Sequence, residues 1–191
     1  MSVQLSLLRH GATELAGGFR GSIDDALTEQ GWAQMQAAVE GAGPWDLIIS
    51  SPLKRCAAFA HELAAERRTP LVFEPDVREL HFGAWEGQTA LALMADQEAE
   101  LGQFWNDPYA FTPPDGEPVQ AFAQRVLGAI ERLVADHNGK RVLLISHGGV
   151  MRFLLAQARG LPREQLLQVD VAHASLHHLT VQAPCVLQEA E

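Results

Sequence analysis

Apolar residues fall into three short dense runs, separated by longer stretches in which they recur every three or four positions. The first run is Val3, Leu5, Leu7 and Leu8, and it stops at Arg9-His10-Gly11. The second occupies residues 46–50 and passes directly into Ser51-Pro52, while the third, Arg141 to Ser146, stops at His147-Gly148-Gly149. Such continuous runs suit strands covered on both faces. The intervening pattern predicts helices. Thr28 with Glu29 opens one that buries Trp32, Met35 and Val39 and closes at Gly41, Gly43 and Pro44. Ser51 is read as an N-cap with Pro52 at the first helical position, leading a helix with Leu53, Ala57, Ala60, Leu63 and Ala64 inward and Arg55 in its first turn. Val119, Phe122, Val126, Ile130 and Leu133 mark the clearest amphipathic helix, and Val150 to Ala158 another. Leu71 to Phe73, Leu166 to Val171 and Ser175 to Val181 are expected as further strands. Strands alternating with helices predict an α/β fold: a three-layer α/β/α sandwich with a mostly parallel central sheet, built as one domain over 1–191.

The stretch 76–117 breaks this rhythm. It is a loop carrying Glu79, His81, Trp85 and Glu86, then a weak helical pattern from Gln88 to Gln103, then Pro113-Pro114-Asp115-Gly116. It reads as an insertion covering something. Trp85, Phe104, Trp105 and Tyr109 within it either wall a pocket or pack the insertion onto the body.

With 14 Lys and Arg against 24 Asp and Glu among 191 residues, the chain carries a net charge of −10. Nucleic acid and anionic membrane surfaces are therefore excluded as partners, since both demand a cationic face. Any anion must be met by a local cluster of basic side chains. The two cysteines, Cys56 and Cys185, form no CxxC pair and suggest neither a disulfide scaffold nor a zinc site. No signal peptide or membrane span is read, and a cytoplasmic location is expected.

The three runs end in Arg9-His10, in Arg55 one turn into the following helix, and in His147. In an open α/β sheet ligands bind beyond the carboxyl ends of the strands, so two arginines and two histidines can meet there although 137 positions separate His10 from His147. Such a pocket selects an anion. Gly148 and Gly149 would let backbone N–H groups at a helix start approach a phosphate, and arginine forks match its oxygens. Two imidazoles exceed what binding needs, which points to one of them, His10, attacking phosphorus. A carboxylic acid must then protonate the leaving alkoxide, and Glu79 and Glu86 are the candidates.

LLRHGAT at residues 7–13, SSPLKRC at 50–56, RELHFGAWEG at 78–87 and SHGG at 146–149 together resemble the histidine phosphatase superfamily, whose fold is phosphoglycerate mutase-like. The resemblance runs in order along nearly the whole chain. It implies that His10 becomes a phosphohistidine, that Arg9, Arg55 and His147 hold the phosphoryl oxygens, and that Glu79 donates the proton. It also points to Thr13, Gly21 and Gly148 on the phosphate side, and to no metal or other cofactor. Many relatives read RHGET or RHGES followed three residues later by Asn; this chain has Ala12 after Gly11 and Ala16 where that Asn would lie. Mutases of the family carry extra segments for which 191 residues leave no room, which favours hydrolysis.

Within the superfamily, FWNDP, PPDGEPVQAFAQRV and GLPREQLLQVDVAHASLHHL resemble the α-ribazole phosphatase branch of cobalamin biosynthesis. That implies a small phosphomonoester, α-ribazole 5′-phosphate, as substrate. A phosphoglycerate mutase and a broad sugar-phosphate phosphatase are the enzyme rivals, and a phosphate-sensing module is the non-enzymatic one. The chain is expected to act alone or as a homodimer. His173, His177 and His178 fall on an expected strand, which disfavours a metal site and leaves His173 as an edge contact for substrate.

Overall fold

The computed structural model describes residues 2–15 and 17–190. Ala16, the position where relatives carry Asn, lies outside them. The strands are β1 (Ser2–Arg9), β2 (Leu47–Ser50), β3 (Leu71–Phe73), β4 (Arg141–Ser146), β5 (Leu176–Gln182) and β6 (Val186–Glu189). They form one sheet in the order β3-β2-β4-β1-β5-β6, parallel through the first four and antiparallel at β5 and β6. The helices are α1 (Glu29–Val39), α2 (Lys54–Arg67), α3 (Ala90–Asp96), α4 (Glu98–Asn106), α5 (Val119–Asp136) and α6 (Gly148–Ala158).

The layering follows from the two-residue period of the central strands. Leu7, Leu47, Ile49, Val142 and Leu144 join the apolar cluster that contains α5 and α6. Their neighbours Leu8, Ile48, Leu143 and Ile145 join the cluster on the opposite face, with α1 and α2. Both faces of the sheet are thus covered, giving the expected α/β/α sandwich. The amphipathic stripe on α5 is buried as its spacing requires, from Val119 through Phe122, Val126 and Ile130 to Leu133. Thr28 caps α1 by accepting from the Gly31 N–H at 2.9 Å.

Five expectations need correction. Leu166 to Val171 is not a strand: residues Arg163–Gln168 form a 3-10 helix, and the Val169 and Val171 carbonyls accept from Arg152 and Arg9 instead of entering a ladder. Ser51 does not lead its helix. α2 begins at Lys54, and the Ser51 hydroxyl is held by His147. The inward face of α2 is rotated accordingly, with Cys56 and Phe59 buried and Leu53 and Ala57 half-buried; Trp32 on α1 is also half-buried, packed edge-on against Phe59. The single weak helix expected over 88–103 is two, broken at Gln97, whose side-chain oxygen accepts from Trp85 Nε1 at 2.9 Å.

The parallel register sets the functional edge. Arg9 is level with Ser146, and Ser50 with Ile145. The residues that follow, His10, Ser51 and His147, therefore leave the sheet at the same end.

Candidate active site

Beyond that edge lies a cavity of about 550 Å3. Arg9, His10, Arg20, Arg55, Glu79 and Arg152 line its polar part, and Phe19, Phe82, Phe104, Trp105, Phe122 and Leu166 are among its apolar walls. Four guanidiniums face one lining carboxylate, which concentrates positive charge in a chain that is acidic overall.

His10 is buried at 6% exposure, with its backbone N–H bonded to the Ser146 carbonyl. Burial pushes its pKa down to about 3, Arg55 and Arg9 adding to the effect, against a smaller opposing pull from the Gly11 carbonyl. The ring is thus neutral near pH 7. Nδ1 lies 2.8 Å from the Gly11 oxygen, which can only accept, so Nδ1 carries the proton and Nε2 the lone pair.

Arg55 is 1% exposed and fully committed in orientation. Its Nη1 donates to the Ile23 carbonyl at 2.6 Å, its Nη2 to the Gly21 carbonyl at 3.0 Å and its Nε to His147 Nδ1 at 3.2 Å. Because His147 Nδ1 accepts, the proton sits on Nε2, which meets the Ser51 hydroxyl at 2.7 Å. Burial, followed by Arg55 and His10, holds the pKa of His147 well below that of an ordinary histidine. Its ring stands 5.4 Å from that of His10, yet it is completely buried and sits behind the cavity wall.

Glu79 lines the cavity, half-buried, with Oε2 accepting from the Gly149 N–H at 2.9 Å and Oε1 from the Leu80 N–H at 2.9 Å. The first turn of α6 therefore binds this carboxylate through Gly149. Glu86 is different. It accepts from the backbone of Ser22, Ile23 and Phe82 and from His81, and burial, which raises its pKa, is outweighed by these bonds so that it lies below the ordinary carboxylate value. It staples two loops together and does not line the cavity.

Thr13, Gly21 and Gly148 do not line the cavity either. The Thr13 hydroxyl accepts from Arg20, whose Nη1 also pairs with Asp25 at 2.9 Å, so Thr13 contributes by holding an arginine that does line it. Gly21 supplies its carbonyl to Arg55, and a Cβ there would overlap the Leu80 carbonyl. A Cβ on Gly148 would lie 3.2 Å from Arg9 Cζ, so its absence lets the guanidinium lie along the start of α6. Arg9 itself is anchored through Nη1 to the Val171 carbonyl at 2.6 Å.

Sequence reasoning missed Arg20 and Arg152, because only basic groups beside strand ends were counted. Asp25 was also missed; it lies 2.9 Å from Arg20 and 3.5 Å from Arg55, and its position between the FRGS loop and α1 was the available signal. His173 stands with its ring 5.7 Å from that of His10, but it precedes β5 rather than lying on the strand expected for it, and it does not line the cavity. Among the described residues no group of three or more His, Cys, Asp or Glu is placed to hold a metal ion. No helix among them is long and apolar enough to cross a membrane. The aromatic residues of the insertion do both things expected of them: Trp85 is fully buried against Phe104 and Phe111, while Phe104 and Trp105 reach the cavity.

The chain is similar to known proteins across most of its length. An adenosylcobalamin/alpha-ribazole phosphatase of Escherichia coli is 32% identical over 169 residues, covering 86% of this chain and 83% of that protein. A glucosyl-3-phosphoglycerate phosphatase of Mycolicibacterium vanbaalenii is 33% identical over 171 residues, covering 83% and 75%. The solved structure of Bacillus stearothermophilus YhfR superimposes with a TM-score of 0.90 at 27% identity, covering 98% and 95% of the two chains. The family model described as Histidine phosphatase superfamily (branch 1) matches residues 5–186, so this chain belongs to that superfamily and is a phosphatase.

Proposed function

We propose that this single-domain chain is a cytoplasmic, metal-independent phosphomonoester hydrolase that works through a phosphohistidine at His10, with α-ribazole 5′-phosphate as its substrate in cobalamin biosynthesis. The observation that carries the mechanism is the tautomer of His10: a neutral ring with Nδ1–H tied to Gly11 keeps the Nε2 lone pair for attack. Nε2 bonds to phosphorus as the ester P–O bond breaks, and Glu79 gives its proton to the departing alkoxide. Water then attacks the phosphohistidine, Glu79 takes its proton, and the N–P bond breaks to release phosphate.

The chain's own cations do the charge work. Arg9, Arg20 and Arg55 line the polar part of the cavity, and a guanidinium about 4 Å from a phosphoryl oxygen is worth about 4 kcal/mol before desolvation. His147 serves by fixing the Arg55 fork, and Thr13 by fixing Arg20. The aromatic walls support a flat apolar base on the leaving group. Arg152, on the same cavity, favours a second reading in which polar sugar phosphates are accepted broadly.

The deciding measurement is kcat/KM for phosphate release from α-ribazole 5′-phosphate against p-nitrophenyl phosphate and ribose 5-phosphate, in buffer containing EDTA. A strong preference for the first supports the assigned substrate. Equal values support the broad phosphatase, and dependence on an acceptor hydroxyl or a bisphosphate primer supports a mutase.

A further inference from the structure

The PPDGEPVQAFAQRV stretch contains Arg125, which lies on α5 and does not line the cavity, yet this side chain is tied to the segment that carries Glu79. All five of its N–H donors have partners. Nε and Nη2 form a fork onto the Glu117 carboxylate at 2.7 and 2.8 Å. Nη1 donates to the carbonyls of Asp76 at 2.7 Å and Arg78 at 2.8 Å, and Nη2 also to that of Glu79 at 3.0 Å. The remaining carbonyl in the series, Val77, accepts from the Ser146 hydroxyl at 2.7 Å. Four successive carbonyls, 76 to 79, thus take their hydrogen bonds from side chains of α5 and β4. Glu117 extends the grip, since its backbone N–H donates to the His81 carbonyl at 2.8 Å.

Residues 78–82 form no helix or strand, so nothing regular sets the backbone dihedrals at Glu79. A planar fork with five donors can fix several carbonyls at once, whereas the lysine ammonium is a single point of charge on a flexible stem. We infer that Arg125, oriented by Glu117, is the positioning residue that sets the Glu79 carboxyl at the cavity wall for proton transfer. This rests on Glu79 being the proton donor.

The test uses kcat/KM, which reports the steps up to loss of the leaving group, for two esters: 2,4-dinitrophenyl phosphate, whose phenolate leaves without a proton, and ribose 5-phosphate, whose alkoxide does not. Arg125→Lys should lose about tenfold or more on the sugar phosphate and less than about threefold on the aryl phosphate. Glu117→Gln, which keeps the backbone bonds of Arg125, should show the same selectivity at smaller size and covers the case in which Arg125→Lys does not fold. Glu79→Gln should be at least as selective, and adding Arg125→Lys to it should cost nothing further on the sugar phosphate. Equal losses on both esters in the Arg125 and Glu117 variants, or no loss in either, would overturn the assignment while leaving Glu79 as donor. A Glu79→Gln variant that loses equally on both esters would remove the donor reading itself, and the positioning role with it.

Discussion

The backbone N–H of Gly149 and the carboxylate of Glu79 meet at 2.9 Å, and the absence of a side chain at 149 is what permits it. A Cβ at that position would overlap Glu79 Oε1 and approach Cδ to 3.1 Å. Two effects compete in Gly149→Ala. Alanine in a helix is favoured over glycine by up to about 1 kcal/mol, and the obstructed group is the far end of a flexible side chain that can swing away. The expected outcome is an unchanged or raised melting temperature with phosphatase activity down at least about tenfold, the loss being largest on alkyl phosphates. Thermal unfolding and kcat/KM on the same preparation check both halves.

His10→Ala should lower kcat/KM by more than about a hundredfold on every phosphomonoester, because it removes the lone pair that attacks phosphorus. His147 has both nitrogens engaged by Arg55 and Ser51. Alkaline quench of the wild-type protein during turnover should trap a phosphoryl group that survives alkali, is lost in acid and is absent from the variant. Retention of that signal in the variant would move the nucleophile to His173.

The glycines near the first strand end carry a different load. A Cβ on Gly31 would overlap the Ala12 carbonyl, and one on Gly11 would overlap the Gly31 carbonyl, so the loop after β1 and the start of α1 are in direct backbone contact. Neither partner is a side chain that can rotate aside. Gly31→Ala should therefore destabilise the fold by about 1–3 kcal/mol despite its helical setting, read as a shift in the denaturant midpoint at constant slope.

How far the sequence spoke depended on whether local rules fixed the residue. The strand ends were legible because buried parallel strands read as unbroken apolar runs, and their parallel register brings Arg9, His10, Arg55 and His147 to one edge. Ser51 misled because its hydroxyl accepts from the Leu53 N–H at 3.3 Å as a capping group would, while also meeting His147, and the helix itself starts only at Lys54. Leu166 to Val171 misled for a similar reason: its apolar residues face the core and cavity while its carbonyls hold Arg152 and Arg9. β6 went unseen because it is a short, largely exposed edge strand with only Leu187 buried. Arg20, Arg152 and the Arg125 clamp depend on contacts across the chain that periodicity does not encode.

Trp105 tests the leaving-group side of the cavity. It is 46% exposed at the rim, unlike Phe104 beside it at 3%, so its removal leaves the packed aromatic cluster intact. Trp105→Ala should raise KM for α-ribazole 5′-phosphate about tenfold, the loss of one stacking surface, and leave ribose 5-phosphate within about twofold. Equal effects on both substrates would assign Trp105 to packing of the insertion.

The buried imidazoles give stability a pH dependence of definite sign. His10 titrates near pH 3 when folded and near 6.5 when unfolded, so between those values the unfolded chain binds the extra proton. Its contribution is fully present above pH 6.5 and is lost as pH falls toward 3. At pH 4.5 the loss from this one group is about 2–3 kcal/mol. His147, also lowered, adds in the same direction. Carboxylates titrate over the same range, so the difference between proteins isolates the effect. His10→Gln removes the titrating group, and its unfolding free energy should fall less than that of the wild type between pH 7 and pH 4.5, by about that same 2–3 kcal/mol. Equilibrium denaturation at the two pH values measures it. Parallel falls in the two proteins would mean that His10 is protonated in the folded state at pH 4.5, and the neutral nucleophile inferred for the site would have to be abandoned at that pH.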